Sequence, residues 1–398
     1  MSRAVVRVMS FGLLVLWGVG CDSTDPGEPA EPGTDIVHTA DTGEDITRHP
    51  GEDTAPDPPF SFEHFSVITS EEVGLVAWLD IAGDVPTLLT VTLEDLGSSL
   101  ITEVPTSQTP AMKHTPVVMG LHAATSYRIH VTATDGTGAS LSDTLDLETG
   151  PLPPFLAGLE TLISDAERMQ PGYTLFSGTV EEETYSAAVD GAGEVVYFSS
   201  GLGGNFVPTS AGSYLAETTH GGPLIVTDLR GQSMGATLTP QDYNTPTFHH
   251  TPGISPEGNY LAIGVEMRTI DGYPGAGDGT SYNVIGDLFF EIAPDGALLR
   301  EIALLDLLDP HRTMGGFDNS FWNMDFPAAE GGTKDWSHSN SIASDPLDGG
   351  YVVSVLHQNW VVKLNHDTDT LLWRLGPEGD FDLAPGGRWS RIHHGAVP

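Results

Sequence analysis

Three short stretches of this sequence carry imidazoles at the head of what otherwise read as strands. "FHHTPGISPEGNYLAI" holds His249 and His250, "DWSHSNSIAS" holds His338, and "RIHHGAVP" holds His393 and His394. Near neutral pH an imidazole is a nucleophile when unprotonated, a general acid when protonated, and a ligand for zinc, copper or iron. A lone histidine on a strand is most often structural, whereas recurrence at three similar positions argues for a shared use. The middle stretch adds Trp336, and Asn340 two residues beyond the imidazole. The histidines at 114, 122, 130, 220, 311, 357 and 366 do not recur in this way and read as structural.

The elements that must bring these groups together are strands. A chain of 398 residues exceeds one ordinary core, and 47 Gly with 29 Pro favour many short strands over long helices. An all-β protein follows, in two folded regions. Residues 60–150 alternate apolar and polar in short runs and read as a small antiparallel sandwich; "GLHAATSYRIHVTATDGTG", with Leu121 six residues before Tyr127, resembles an immunoglobulin or fibronectin III domain in which that tyrosine forms a corner. This domain reads as a spacer. "TGPLPP" marks its end, since consecutive prolines cannot continue a central strand.

From 155 to 398 a strand–turn–strand unit recurs: "AAVDGAGEVVYF", "LIVTDLRGQSMGATL", "FFEIAPDGALLREI" and "VVKLNHDTDTLLWRL". Four strands every ~40 residues, stretched by insertions, is the pattern of a β-propeller. The clearest blade runs from His338 to Leu375. The first strand of a blade lines the central channel, where polar groups are tolerated, and strand alternation sets His338 and Asn340 on one face. If each imidazole stretch heads a different blade, all three meet at one channel mouth.

A formal charge of −40, from 15 Lys+Arg against 55 Asp+Glu, excludes nucleic-acid binding and adhesion to anionic membranes through a basic patch. Residues 1–21 read as a signal peptide: Arg3 and Arg7 precede an apolar run too short to span a bilayer, and Gly-Val-Gly-Cys resembles a bacterial lipobox ending on Cys21. Residues 22–59 are acidic, rich in Pro and Gly and poor in hydrophobes, so a disordered tether is expected, with His38 and His49 solvated. The expected setting is extracytoplasmic, in the periplasm or on the cell surface, with membrane contact only through the lipid anchor. A single cysteine allows no intrachain disulfide.

The histidine stretches, the run "DWSHSNSI…VVSVLHQNWVVKLNHDTDTLLWRLG" and the late "HHGA" together resemble the bacterial aryl sulfate sulfotransferases, over about residues 155–398. That resemblance implies a small N-terminal β domain, a six-bladed propeller and transfer of a sulfuryl group from an aryl sulfate to a phenol. It implies transfer without a nucleotide cofactor; no cofactor and no metal are expected. It makes His394 the nucleophile, forming a sulfohistidine, with His393 as its neighbour. His250, or His249, and His338 hold sulfuryl oxygens and move protons, and Asn340 joins the substrate contacts.

Two departures stand out. The family arginine expected eighteen residues beyond His338 is Leu356 here, and only about four blades precede Pro398, so a fragment, or a ring completed by a partner or second copy in a homo-oligomer, is expected. Two other readings follow: a propeller without catalysis acting as a surface binding module, and a metal site of His250, His338 and His394, which lacks Cys or carboxylate at ligand spacing. In the insertion from Leu304 to Gly332, Phe317, Phe321 and Trp322 either stack on an aryl group or plug a local core. "DGYPGAGDGTSYN" lacks the strand, helix and lysine of a phosphate loop and suits a loop or a weak calcium site.

Overall fold

The computed structural model describes residues 36–39 and 60–398, apart from 71–72, 166, 181–182, 201–205, 210–212, 218–220, 275–280 and 315–320. The leader with Cys21, Phe317 and the centre of the glycine-rich loop therefore lie outside the described residues. Within the expected tether, Ile36–Thr39 pairs antiparallel with Phe62–Thr69. "IVHT" is the β-prone tetrad of that acidic stretch, which explains why pairing occurs there.

The fold is nearly all-β. Among the described residues the α-helix is a single turn, Leu304–Leu307, and no helix is long and apolar enough to cross a membrane. The chain divides into two compact units, the first running through Gly201 with Leu229–Gly231 and the second comprising Leu202–Asp228 and Gln232–Pro398.

In the first unit a long strand, Ala77–Asp95, pairs with Phe62–Thr69 on one side and Ser126–Asp135 on the other, and Ser140–Glu148 follows. Period-2 alternation buries Ile129, Val131 and Ala133 on the face that carries Leu79, Ile81 and Leu93. Tyr127 is buried, and its hydroxyl accepts the backbone N–H of His122 at 2.8 Å, closing the expected corner. The division at "TGPLPP" is not where packing divides. Strands Thr174–Val180, Glu183–Val189 and Val195–Ser200 form a four-stranded sheet with Val73–Gly74, and Tyr185, Ala187 and Val195 join the same apolar cluster as Ile129. A strand–turn–strand repeat signals pairing within a sheet; it carries no information on which core the sheet covers.

In the second unit, Tyr260–Ile270 and Tyr282–Ile292 pair along their whole length, flanked by Gly253–Ile254 and Leu298–Ala303. Thr333–Asp335 adds to Tyr282–Ile292 in parallel. Ser339–Ser344, Tyr351–Val355, Trp360–Leu364 and Leu371–Leu375 then form a four-stranded antiparallel meander, the unit expected from 338 to 375. Leu261, Phe289, Ile342, Val353 and Val362 fill the core that these sheets share. They approach so closely that a Cβ on Gly253 would stand 2.4 Å from the Ile342 carbonyl oxygen, so glycine is required there.

Candidate functional site

The stretch bearing His249 and His250 enters beside its own sheet: the His249 N–H donates to Ile263 O at 3.0 Å, and Phe248 bridges Gly264. Thr251 then bridges Ser341 in parallel, which carries His250 to the stretch bearing His338. The two rings lie 5.1 Å apart between centroids, and the ring of His394 lies 5.5 Å from His250. Three imidazoles distant in sequence thus form one cluster.

Local backbone differs from the expected alternation. His338 precedes the strand in the left-handed region, φ 47°, and Asn340 falls at a register shift between Ser339 and Ser341. A bulge re-aims side chains, so the simple alternation expected from 338 to 340 does not hold here. His250 is also left-handed, at φ 60°. For residues with a Cβ such conformations are uncommon and cost of order 1 kcal/mol each, and they persist where surrounding contacts over-determine them.

Those contacts include two buried carboxylates. Asp335 Oδ2 is 2.6 Å from His338 Nδ1, and Asp287 Oδ1 is 3.2 Å from His249 Nε2; Asp287 Oδ1 and His249 Nε2 are buried with no other hydrogen-bond partner. Asp287 Oδ2 accepts the Ser339 N–H at 2.7 Å. His249 Nδ1 meets His250 Nδ1 at 2.8 Å, so one of the two donates to the other. Burial opposes charge on His338, but the bonded Asp335 carboxylate outweighs it and holds this imidazole above its usual pKa. Burial also raises Asp287, and its bonds from His249 and the neighbouring serines more than reverse that. His394, although open to solvent, is pushed below the usual value by partial desolvation and by His338. The cluster accordingly contains an acid-disposed ring, His338, and a ring kept neutral, His394.

His249, Asn340 and His393, expected as substrate contacts, are used differently. His249 is fully buried between Asp287, His250 and Trp322, whose ring lies 5.0 Å away, so it buttresses His250. Asn340 is buried, donating to His393 O at 2.8 Å and accepting the Gly395 N–H at 3.2 Å; it fastens the terminal segment. His393 Nε2 bonds to Asn359 O at 3.1 Å, and its Nδ1 bonds to Ser390 at 3.0 Å, which turns this ring away and leaves His394 to face His250. Trp322 is a plug, packed with Val265 and Ile285, while Phe321 stands half-buried 5.2 Å from His338.

His357 is the group that sequence reasoning left out. Leu356–Gln358 is a 3₁₀ turn, and it swings His357 back under the cluster, 4.9 Å from His338. Three bonds latch it: His357 N–H to Ser337 O at 3.0 Å, Nδ1 to Asp335 O at 2.9 Å, and Gln358 Nε2 to Trp336 O at 2.7 Å. Arg312, 3.8 Å above the Trp360 ring, donates to Gln358 as well. Burial and His338 push His357 below its usual pKa, although Asp335 works the other way. Asp287 left a weaker sign, one of two acids within the apolar run "VIGDLFFEI".

A family model described as Arylsulfotransferase (ASST) matches residues 160–385. The matched region includes His249, His250, Asp335 and His338 and stops short of His393 and His394. No curated protein matches the chain. Among solved structures, a protein of unknown function from Bacteroides caccae is 11% identical over 73% of each chain, with a TM-score of 0.22. Kuenenia stuttgartiensis Hydrazine Synthase is 13% identical over 73% of this chain and 74% of that one, with a TM-score of 0.29. Likeness at that level carries no argument about fold or activity.

Proposed function

This chain belongs to the arylsulfotransferase family, and from that membership we propose that it moves a sulfuryl group from an aryl sulfate to a phenol through a sulfohistidine on His394. The observation that carries the reading is the meeting of His394, His250 and His338 in one cluster, with His394 neutral and His338 backed by a carboxylate.

In the first half-reaction the electron pair of a His394 ring nitrogen attacks sulfur, and the sulfur–aryloxy bond breaks. The departing phenolate takes a proton from His338, whose positive charge the buried Asp335 favours. His250 donates to a sulfuryl oxygen as charge builds there. In the second, His338 takes the proton of the acceptor phenol, the phenolate oxygen attacks sulfur, and the sulfur–nitrogen bond breaks with its electron pair returning to His394. Phe321 offers an edge to the aryl ring.

The fold that accompanies this reading is an immunoglobulin-like domain followed by a β-propeller, and the Ser339–Leu375 meander, four consecutive strands in one sheet, supports it. The sequence of the leader supports a lipid anchor on Cys21 and an extracytoplasmic location.

Purified protein given a chromogenic aryl sulfate and a phenol is expected to release the donor phenol, and His394→Ala to abolish release. With donor alone, mass spectrometry of peptic fragments is expected to find one SO3 on His394. Release that survives His394→Ala would remove the nucleophile; absence of release from the unmodified chain would favour the binding-module reading that Leu356 suggests.

A further inference from the structure

Below the sulfuryl-handling rings lies a group that the transfer reading does not use as a unit: Asp335, His338 and His357, whose donor atoms all lie within 4.8 Å of one another. Asp335 Oδ2 is the hub, 2.6 Å from His338 Nδ1 and 3.6 Å from His357 Nδ1. A tetrahedral ion with bonds of about 2.0–2.1 Å spaces its donors about 3.4 Å apart, so Asp335 Oδ2 and His338 Nδ1 part slightly on binding, and His357 Nδ1 gives up its hydrogen bond to Asp335 O, with its proton moving to Nε2, to become a ligand. All three side chains are largely withdrawn from solvent, and the other carboxylate oxygen, Asp335 Oδ1, is buried with no hydrogen-bond partner. A buried carboxylate is costly unless it is paired. Among the described residues no Lys or Arg pairs with Asp335 or with neighbouring Asp287, so the counter-charge must come from protons on imidazoles or from a cation.

We propose that Asp335, His338 and His357 form a binding site for a borderline divalent transition-metal ion such as Zn²⁺. Two imidazoles and one carboxylate match that class, whereas Ca²⁺ and Mg²⁺ prefer all-oxygen sets. The latched turn at Leu356–Gln358 supplies the rigidity a site needs: the bonds from Gln358 to Trp336 and from Arg312 to Gln358 hold His357 against Asp335. The ion would replace the proton between Asp335 and His338, and its charge would stand beside His250, where an anionic oxygen is drawn. The site does not depend on sulfuryl transfer being the activity.

The test uses the full chain, free of any histidine tag and stripped with EDTA. It is incubated with Zn²⁺, passed through gel filtration and analysed for metal, and Co²⁺ titration follows the visible ligand-field bands. One retained equivalent per chain is expected, with affinity at least tenfold to 100-fold weaker in His357→Gln and in Asp335→Asn. Circular dichroism verifies folding, and should Asp335→Asn fail to fold, His357→Gln decides alone. No retained ion in the unmodified chain, or equal retention in a folded His357→Gln, overturns the site. Sulfohistidine trapping with the stripped protein reports separately on the transfer reading, so either can fail without the other.

Discussion

Histidine–carboxylate pairs occur in both compact units at similar distances, and those of the second unit's imidazole cluster differ from those of the first in what surrounds them. In the first unit His130 stands 2.9 Å from Glu94, His122 3.2 Å from Asp190 and His64 3.4 Å from Asp80, with each imidazole more than 40% exposed. In the second, His338 stands 2.6 Å from Asp335 and His249 3.2 Å from Asp287, and both carboxylates are buried. Solvent screens the first set, and such pairs contribute roughly 0–1 kcal/mol. In the second set little water competes, and the Asp335 carboxylate holds the proton on His338. Burying them lowers stability compared with an apolar core.

The largest effect expected from cutting the two regions is on stability. Trp322→Ala and Ile129→Ala each remove a fully buried side chain, at about 3–5 and about 2–5 kcal/mol, measured by urea unfolding. The comparison predicts that Trp322→Ala also impairs transfer, because the Trp322 ring braces His249, whereas Ile129→Ala leaves the turnover of its folded fraction intact. Equal turnover losses would break the comparison. Next comes the pair itself: Asp335→Asn is expected to lower kcat/KM by about 100-fold or more, and Glu94→Gln by less than about twofold. A large loss in Glu94→Gln would mean that the first unit takes part in the reaction.

The pH profile comes third. His394 is held below the usual 6.5, so its neutral form persists through the neutral range and is lost only as pH falls through that depressed value. Rates are then expected to drop about tenfold per pH unit on the acid side of a midpoint lying under 6.5. A midpoint above 6.5 would contradict a desolvated nucleophile. The smallest effect belongs to Tyr127→Phe, which removes the corner bond to His122. About 1 kcal/mol of stability should be lost with transfer unchanged.

Much of this site was legible in sequence. His250, His338 and His394 were singled out from the heads of three stretches, and they share one cluster. What escaped depended on backbone that does not alternate. His357 reads as structural in sequence, and a 3₁₀ turn brings it under the cluster; Asn340 falls at a bulge, where the alternation expected from His338 does not hold. His249 and His393 are chemically identical to their neighbours, and only burial and hydrogen bonds set them apart, His249 fully buried and His393 bonded to Asn359 O.

Local information determined the strands, the turns and the types of side chain available, because period-2 alternation and turn chemistry act between residues a few positions apart. The nearly all-β class and the meander at Ser339–Leu375 follow from it. The tertiary structure alone decided which acids face which imidazoles. Asp287 and His249, or Asp335 and His357, meet through sheet packing across dozens of residues, and desolvation, which sets the chemistry of each pair, exists only once the surrounding chain is in place.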